Sequence, residues 1–435
     1  MGKFRVEVTK IANQDIEKHK KSGNKTSIKN IAKILIELSE NPDQGFGNPE
    51  QLKHQYSGLW SRRINQKDRI IYRIEDDIVT VFVISAMGHY SDNNFMKLLR
   101  ILLFPFAVLY GFITSIRNFL FDKGILKSTS FDIPVIAVGN LSVGGTGKTP
   151  QIEYLIRLLS DKYKVATLSR GYKRKSEGFV LADATSNAEI LGDEPFQFYQ
   201  KFPNIQVAVD ANRTNGITQL LSQKEKPQIV LLDDAYQHRK VKAGFYILLT
   251  SYDDLYADDF MLPTGNLRES RSGASRAKIV IVTKCPKKLS DEKQSEIWNK
   301  LKLSSSQQLY FTFIDYDDAI YGKNEKIAVN EIKNVSKLLL AGIAKPTPFF
   351  DYLKNENDEC LTFQDHHHFS EKDLEMIQNK AQGKKIVTTE KDYVRLKDSK
   401  LISQLYYLPI KSKFINNKQN FDATILEYLD KCLKP

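Results

Sequence analysis

Ser142-Val-Gly-Gly-Thr-Gly-Lys-Thr-Pro150 follows directly on the apolar run Ile136-Ala-Val-Gly139. A buried strand enters a glycine-rich turn, then Lys148-Thr149, then Pro150, where a helix can begin. Small residues let backbone N–H groups point at phosphates, and a helix N-terminus adds positive partial charge. Lys148 can reach β- and γ-phosphate oxygens, and the Thr149 hydroxyl can sit on Mg²⁺. Pro150 suits the first helical turn, where its missing N–H has no partner to lose. One departure is visible: Ser142 stands at the first glycine of G-x-x-x-x-G-K-[ST]. An isolated Gly-Lys-Thr can arise by chance, but the strand before it and the helix after it favour a phosphate-binding loop. Ser142, Val143, Gly144, Gly145, Thr146, Gly147, Lys148 and Thr149 are its candidate nucleotide contacts.

At 435 residues the chain exceeds one ordinary core, so two or three domains are expected. A net charge of +12 favours anionic partners without choosing among nucleotides, phospholipid headgroups and RNA. Cys285, Cys360 and Cys432 lie far apart, so neither a disulfide framework nor a zinc site is supported. The N-terminus lacks the apolar core of a signal peptide.

Residues 101–116 are strongly apolar, carry Pro105 and Gly111, and are flanked by Lys97, Arg100, Arg117 and Lys123. A spanning helix needs roughly 20 apolar residues. A helix lying in the membrane interface or a buried core helix both fit, and the flanking cations favour the interface.

Before that segment the chain reads as a small α+β unit. A strand at Lys3–Val8 precedes helical periodicity from Asp15 to Ser39, with Ile28, Ile31, Leu35 and Leu38 near one face. A turn-rich loop over 41–49 leads to strand-like runs at 59–64, 69–74 and 78–84. Pro49-Glu-Gln-Leu-Lys-His54, Ser57-Gly-Leu-Trp-Ser-Arg-Arg-Ile64, Asp68-Arg-Ile-Ile-Tyr72 and His89-Tyr90 occur in order. In these motifs residues 1–91 resemble the YoeB branch of the RelE-type toxin endoribonucleases. The resemblance implies Glu50 as general base on a ribose 2′-OH, Arg69 on the phosphate, His89 as general acid, and Tyr90 completing the site. Metal-free RNA cleavage needs a base, an acid and a cation. Lys53, Arg62 and Arg63 could grip the RNA backbone. The implied partners are mRNA, the ribosome and an antitoxin. Met96-Lys-Leu-Leu-Arg-Ile101 then begins a segment as an N-terminus would, which suggests two adjacent reading frames joined.

From Met96 strands and helices alternate, with strands expected at 134–138, 164–168, 228–232, 246–250, 278–282, 337–340 and 385–387. The pattern predicts a doubly wound, mostly parallel α/β sheet with ligands at the strand carboxyl ends, and a smaller C-terminal α/β subdomain. Ile229-Val-Leu-Leu-Asp-Asp234 is an apolar strand ending in two carboxylates, suited to hold the Mg²⁺ that neutralises a γ-phosphate. Thr283-Lys284 follows a strand, but Pro286 replaces the aspartate that would read guanine, favouring ATP.

Further motifs follow in order: Ser169-Arg-Gly-Tyr-Lys-Arg174, Gly192-Asp-Glu-Pro195, Asp233-Asp-Ala-Tyr-Gln-His-Arg239, Leu262-Pro-Thr-Gly-Asn-Leu-Arg-Glu269, Ala341-Gly-Ile343, Phe363-Gln-Asp-His-His367 and Val387-Thr-Thr-Glu-Lys-Asp392. With the loop, they make the chain from Met96 onward resemble the tetraacyldisaccharide 4′-kinases of lipid A synthesis. The family's usual Asp-Asp-Gly-Phe-Gln-His reads Asp-Asp-Ala-Tyr-Gln-His here, which questions the loop geometry at Ala235. The resemblance implies γ-phosphoryl transfer from ATP to the 4′-hydroxyl of an acylated disaccharide 1-phosphate lipid, giving lipid IVA. It implies Asp193 as base with His366 as its dyad partner, His367 being the rival. Lys148 joins them in catalysis; Asp233, Asp234 and Glu269, with Thr149, would hold Mg²⁺. Arg213, Gln237, His238 and Arg268 would contact phosphate or sugar. The expected location is the cytoplasmic face of the bacterial inner membrane, the enzyme lying on it peripherally or monotopically.

The expected division is 1–91 ribonuclease-like, 96–125 membrane-interface helix, 126–305 P-loop core and 306–435 C-terminal subdomain. Two other readings make the metal-independent ribonuclease the principal activity, or the chain a generic P-loop ATPase.

Overall fold

The computed structural model describes residues 4–8, 10–21, 25–51, 59–65, 68–75, 80–85, 92–343, 346–364 and 367–433. They fall into two compact units, Met1–Leu102 and Leu103–Pro435.

In the first unit strand β1 (Arg5–Val8) leads to helices α1 (Lys10–Lys21) and α2 (Lys25–Leu38), then β2 (Glu50–Gln51), β3 (Leu59–Arg63), β4 (Arg69–Glu75) and β5 (Thr80–Ser85). The sheet order is β1-β5-β4-β3-β2, antiparallel except for β1 beside β5. Ile31, Ile34 and Leu38, spaced by three and four, share one face of α2 and pack on Ile64, Ile70 and Tyr72. The helix expected over 15–39 falls on α1 and α2, and residues 22–24 lie outside the described residues. Arg62 is fully buried, paired with Glu37 at 3.0 Å, and donates to the carbonyls of Asn41, Gln44 and Phe46. It therefore holds the 41–46 loop and does not reach RNA as expected. A desolvated guanidinium needs those partners. Lys53 lies outside the described residues; Arg63 is exposed.

Helix α3 (Asp92–Asp122) contains Pro105. Then come β6 (Val135–Asn140), α4 (Lys148–Leu159), β7 (Val165–Ser169), β8 (Val180–Leu181), α5 (Ala188–Leu191), α6 (Asp193–Lys201), β9 (Gln206–Val209), α7 (Arg213–Leu221), β10 (Ile229–Asp233), β11 (Phe245–Ser251), β12 (Ile279–Thr283), α8 (Asp291–Leu301) and β13 (Gln308–Tyr316). The remainder is β14 (Ala319–Tyr321), β15 (Lys326–Ala328), α9 (Val329–Lys333), β16 (Leu338–Ala341), α10 (Thr347–Leu353), β17 (Glu359–Thr362), α11 (Glu371–Ala381), β18 (Ile386–Thr389), α12 (Glu390–Leu396), β19 (Leu405–Leu408), β20 (Ile410–Phe414) and α13 (Lys418–Leu433). The seven strands expected from sequence in this unit are all present, their ends shifted by two residues at most.

Nine strands form the larger sheet in the order β20-β13-β12-β11-β6-β10-β7-β9-β8, with antiparallel pairing only at the two edges. β6, β10 and β12 are buried along their whole length, as a parallel sheet covered on both faces requires. Successive connections from β6 run to β7 on one side, and β11 lies on the other, so the strand order reverses at the end of β6. Ligands of such sheets bind at the reversal, which here falls at the head of the Ser142–Pro150 loop.

A six-stranded sheet, β15-β14-β19-β18-β16-β17, makes the smaller layer. The chain crosses the expected 305/306 division and returns. β13 and β20 extend the larger sheet, and Phe421, Ile425 and Leu429 of α13 pack in its core with Ile152 and Ile156 of α4.

Candidate active site

The loop between β6 and α4 turns through positive φ at Gly144 (110°) and at Gly147 (81°), the N-cap of α4. Ser142 is not among the positive-φ residues; it bridges to Leu267 in antiparallel fashion, so this position has no need of glycine. The loop is braced from two sides. Val143 N–H donates to the Asn266 carbonyl and Arg268 N–H to the Leu141 carbonyl, both at 2.8 Å. The Thr283 hydroxyl donates to the Thr146 carbonyl at 2.7 Å, and Lys284 donates to the Gly145 carbonyl. Thr283-Lys284 thus supports the phosphate loop from the end of β12.

Asn140, which sequence reasoning missed, organises the cations. Its Oδ1 accepts from Lys148 at 3.2 Å and from Arg268 at 2.7 Å. Both cations also face Asp234, at 3.6 and 2.9 Å. Burial raises the Asp234 carboxyl, but Lys148, Arg268 and Arg213 outweigh it and hold it below the usual carboxylate range. Asp233 is pushed the other way, by burial first and then by Glu194 and Asp234. Two adjacent carboxyls driven apart in this manner mark a site arranged for charge. Asp234 itself carries the positive φ (47°), so Ala235 needs no left-handed backbone and its replacement of glycine is without strain. Tyr236 is buried against Gly139, where an added Cβ would stand 2.7 Å from the Tyr236 Cβ.

Buried polar atoms without a hydrogen-bond partner among the described residues gather here: Asp233 Oδ1, Thr146 Oγ1, Gln237 Oε1, His238 Nε2 and Arg268 Nε. Each such atom costs about 1–3 kcal/mol, so their concentration around one loop points to a ligand. Burial, then Arg213 and Lys240, lower His238 to about 4, leaving a neutral imidazole at neutral pH.

Two expected roles are corrected. Glu269 is fully buried and bound by Arg276 through both oxygens (2.9 and 2.8 Å), by Asn118 at 2.8 Å and by Gln237 at 2.8 Å. A carboxylate already neutralised by a guanidinium and two amides is a structural anchor, not a metal ligand. Arg213 is buried too, donating to the backbone carbonyls of Asp210 (2.7 Å) and Asp233 (3.2 Å). It fixes the end of β10 from behind.

Asp193 opens α6, after Gly192 at φ 88°. Its Oδ2 accepts from Arg395 Nε at 3.2 Å and from Arg395 Nη2. His366 and Asp365 lie outside the described residues. His367 is paired with Asp373 at 3.1 Å, inside the capping box that starts α11, and stacks near Phe363 and Phe369. It is engaged there. In the first unit Arg69, largely buried, is ion-paired with Glu50 and donates to Ser61 at 2.9 Å. His89 and Tyr90 lie outside the described residues.

Helix α3 borders the site with one face. Tyr110 donates to the Arg268 carbonyl at 3.0 Å, Arg117 to the Gln237 carbonyl at 3.4 Å, and Asn118 to Glu269. On its other sides Phe104, Phe106, Val108, Leu109, Phe112, Ile113 and Phe119 are each more than half exposed. Leu103–Asp122 is long and apolar enough to cross a membrane by length and composition.

A parallel sheet reversing at a glycine-rich phosphate loop, with paired aspartates on the adjacent strand, defines a P-loop phosphotransferase. Residues 99–430 match the family model described as tetraacyldisaccharide-1-P 4′-kinase, and the chain belongs to that family. A tetraacyldisaccharide 4′-kinase of Flavobacterium johnsoniae is 83% identical over 340 residues, which cover 78% of this chain and all of the relative. One from Bacteroides thetaiotaomicron is 47% identical over 362 residues, 78% of this chain and 95% of the relative. The crystal structure of LpxK from Aquifex aeolicus in complex with ATP superimposes with a TM-score of 0.63 at 30% identity, covering 76% of this chain and 99% of that one. Residues 9–90 match a second model, the YoeB-like toxin of bacterial type II toxin–antitoxin systems.

Proposed function

We propose that the chain from Met96 onward transfers the γ-phosphoryl group of ATP to the 4′-hydroxyl of tetraacyldisaccharide 1-phosphate, yielding lipid IVA. The observation that carries this reading is the convergence of Lys148, Arg268, Asp233 and Asp234 on one phosphate loop, within a chain of this family.

Phosphoryl transfer asks for positioning and charge stabilisation more than covalent chemistry. The 142–149 backbone and Lys148 bind the β- and γ-phosphates, and Arg268 adds a second cation. Thr149, Asp233 and Asp234 fit a divalent cation, since Asp233 offers a buried oxygen with no protein partner among the described residues. Mg²⁺ bound there would neutralise the charge on the transferring group. Asp193 takes the proton of the acceptor hydroxyl, with His366 as the group that receives it. Gln237 and neutral His238 line the acceptor side, where a neutral imidazole can accept a hydrogen bond from a sugar hydroxyl.

The acceptor is acylated, so the enzyme works at a bilayer. The polar face of α3 is fastened to the 237–269 loops and its apolar face is left outward, which suits a helix lying in the headgroup region of the inner membrane's cytoplasmic face. Asp193→Asn is expected to lower kcat by roughly 10²–10⁴-fold with little change in the KM for ATP. Transfer at the wild-type rate would remove Asp193 as base.

For residues 1–91 we infer a second activity, RNA cleavage without a metal; the Glu50–Arg69 pairing brings two of the residues implied for it together. Inducing residues 1–95 is expected to arrest growth and cleave mRNA. Equal growth with the wild-type segment and with His89→Ala would count against it.

A further inference from the structure

The C-terminal layer sends one short helix back to the residue proposed above as the base. α12 lies antiparallel against α6, and charges pair along the whole contact. Arg395 grips Asp193, Lys391 faces Glu194 at 3.3 Å, and Glu390 meets Lys201 at 2.6 Å. Lys201 also reaches Glu153 of α4 at 2.8 Å, joining the phosphate-loop helix to the same clasp. Asp193 lies at the N-terminus of α6 and Arg395 in the last turn of α12, so this pairing also follows both helix dipoles. Beneath the charges, Val394 packs with Leu191, Phe196 and Val209.

α12 is itself pinned. Thr389 caps it by accepting from Asp392 N–H, and buried Asp392 accepts from Gly342 N–H at 2.8 Å and from the Thr389 hydroxyl at 2.7 Å. The Ala341-Gly-Ile343 and Val387–Asp392 motifs therefore meet to fix the helix that carries Arg395.

The geometry points to Arg395 as a positioning residue for phosphoryl transfer, holding the Asp193 carboxylate at the angle the acceptor hydroxyl requires. The inference rests on Asp193 being the base. Two guanidinium N–H groups, Nε–H and Nη2–H, converge on one oxygen, Oδ2. Two donors on one oxygen fix the position of that oxygen more tightly than a single point charge can. Misplacing a reacting group by about 1 Å can cost on the order of 10²-fold in rate. The role assigned to Arg395 is exerted through Asp193, so its effect is read in kcat.

The test uses the full chain with ATP and tetraacyldisaccharide 1-phosphate in detergent micelles. Arg395→Ala is expected to lower kcat by about 10²-fold while the KM for ATP stays within about twofold. Arg395→Lys should recover only part of the rate, and added guanidinium ion should raise the rate of Arg395→Ala but not of wild type. Val394→Ala loosens the same helix contact without touching the charge and should keep kcat within about threefold. The proposal is overturned if Arg395→Ala turns over like wild type while Asp193→Asn is inactive. It is equally overturned if Val394→Ala loses as much as Arg395→Ala, since packing alone would then explain the loss. An active Asp193→Asn would instead bring down the assignment of the base on which the inference rests.

Discussion

Single side chains at this site divide by what already neutralises them. Asp233 keeps an unpartnered oxygen, whereas Glu269 spends both on Arg276, Asn118 and Gln237. Glu269→Ala should therefore act on stability: leaving partly buried Arg276 without its partner costs up to about 3 kcal/mol, read as a lower urea midpoint. A variant as stable as wild type that demands more Mg²⁺ would return Glu269 to the metal site. His238 supplies a pH test. Its pKa lies near 4 when folded, against 6.5 for the ordinary group, so the unfolded chain takes up the proton first as pH falls. Stability is therefore lost between about pH 6.5 and 4. Partial exposure discounts that loss to about 1 kcal/mol. His238→Gln should flatten the acid limb of a Tm–pH curve; an unchanged limb would contradict a neutral buried imidazole. Asp233 and Asp234 could be read from sequence because strand and carboxylates are contiguous. The anchor role of Glu269 could not, because Asn118 lies 151 residues away in the chain. Asn140 was passed over because it falls between the expected strand at 134–138 and the glycine-rich loop.

At the scale of elements, apolar runs ending in charged motifs located the parallel strands well. Short strands such as Gln206–Val209 went unseen among polar neighbours. Helix α3 extends beyond the apolar run on both sides, to Asp92 and Asp122, and at its C-terminal end Arg117 and Asn118 bond the kinase loops. Hydropathy left open whether this run is buried. Phe112 at 63% and Ile113 at 57% exposure resolve that against a core helix. Each such side chain is worth about 1.5–3 kcal/mol when buried in an apolar phase. Phe112→Glu with Ile113→Glu should move the protein from the membrane pellet to the soluble fraction while leaving turnover of micellar substrate near wild type. Unaltered partitioning would rule out this face as the membrane contact.

For the whole molecule, the order of motifs along the chain gave two unrelated units, and the fold divides into Met1–Leu102 and Leu103–Pro435. What the order could not give is how the C-terminal segments are woven in: β13, β20 and α13 rejoin the larger sheet, and α12 returns to the Asp193 helix. Such pairings join residues some 200 positions apart, as Asp193 and Arg395 are, and local periodicity carries no record of them. A chain starting at Met96 should retain the kinase rate within about twofold, because every contact named at the phosphate loop lies after that residue. The central claim is tested most directly by incubating the full chain with γ-³²P-labelled ATP, Mg²⁺ and tetraacyldisaccharide 1-phosphate and separating the lipids. The account predicts label on the 4′-phosphate of lipid IVA, lost with Lys148→Met and Asp193→Asn. Release of labelled phosphate with none on the lipid would contradict it.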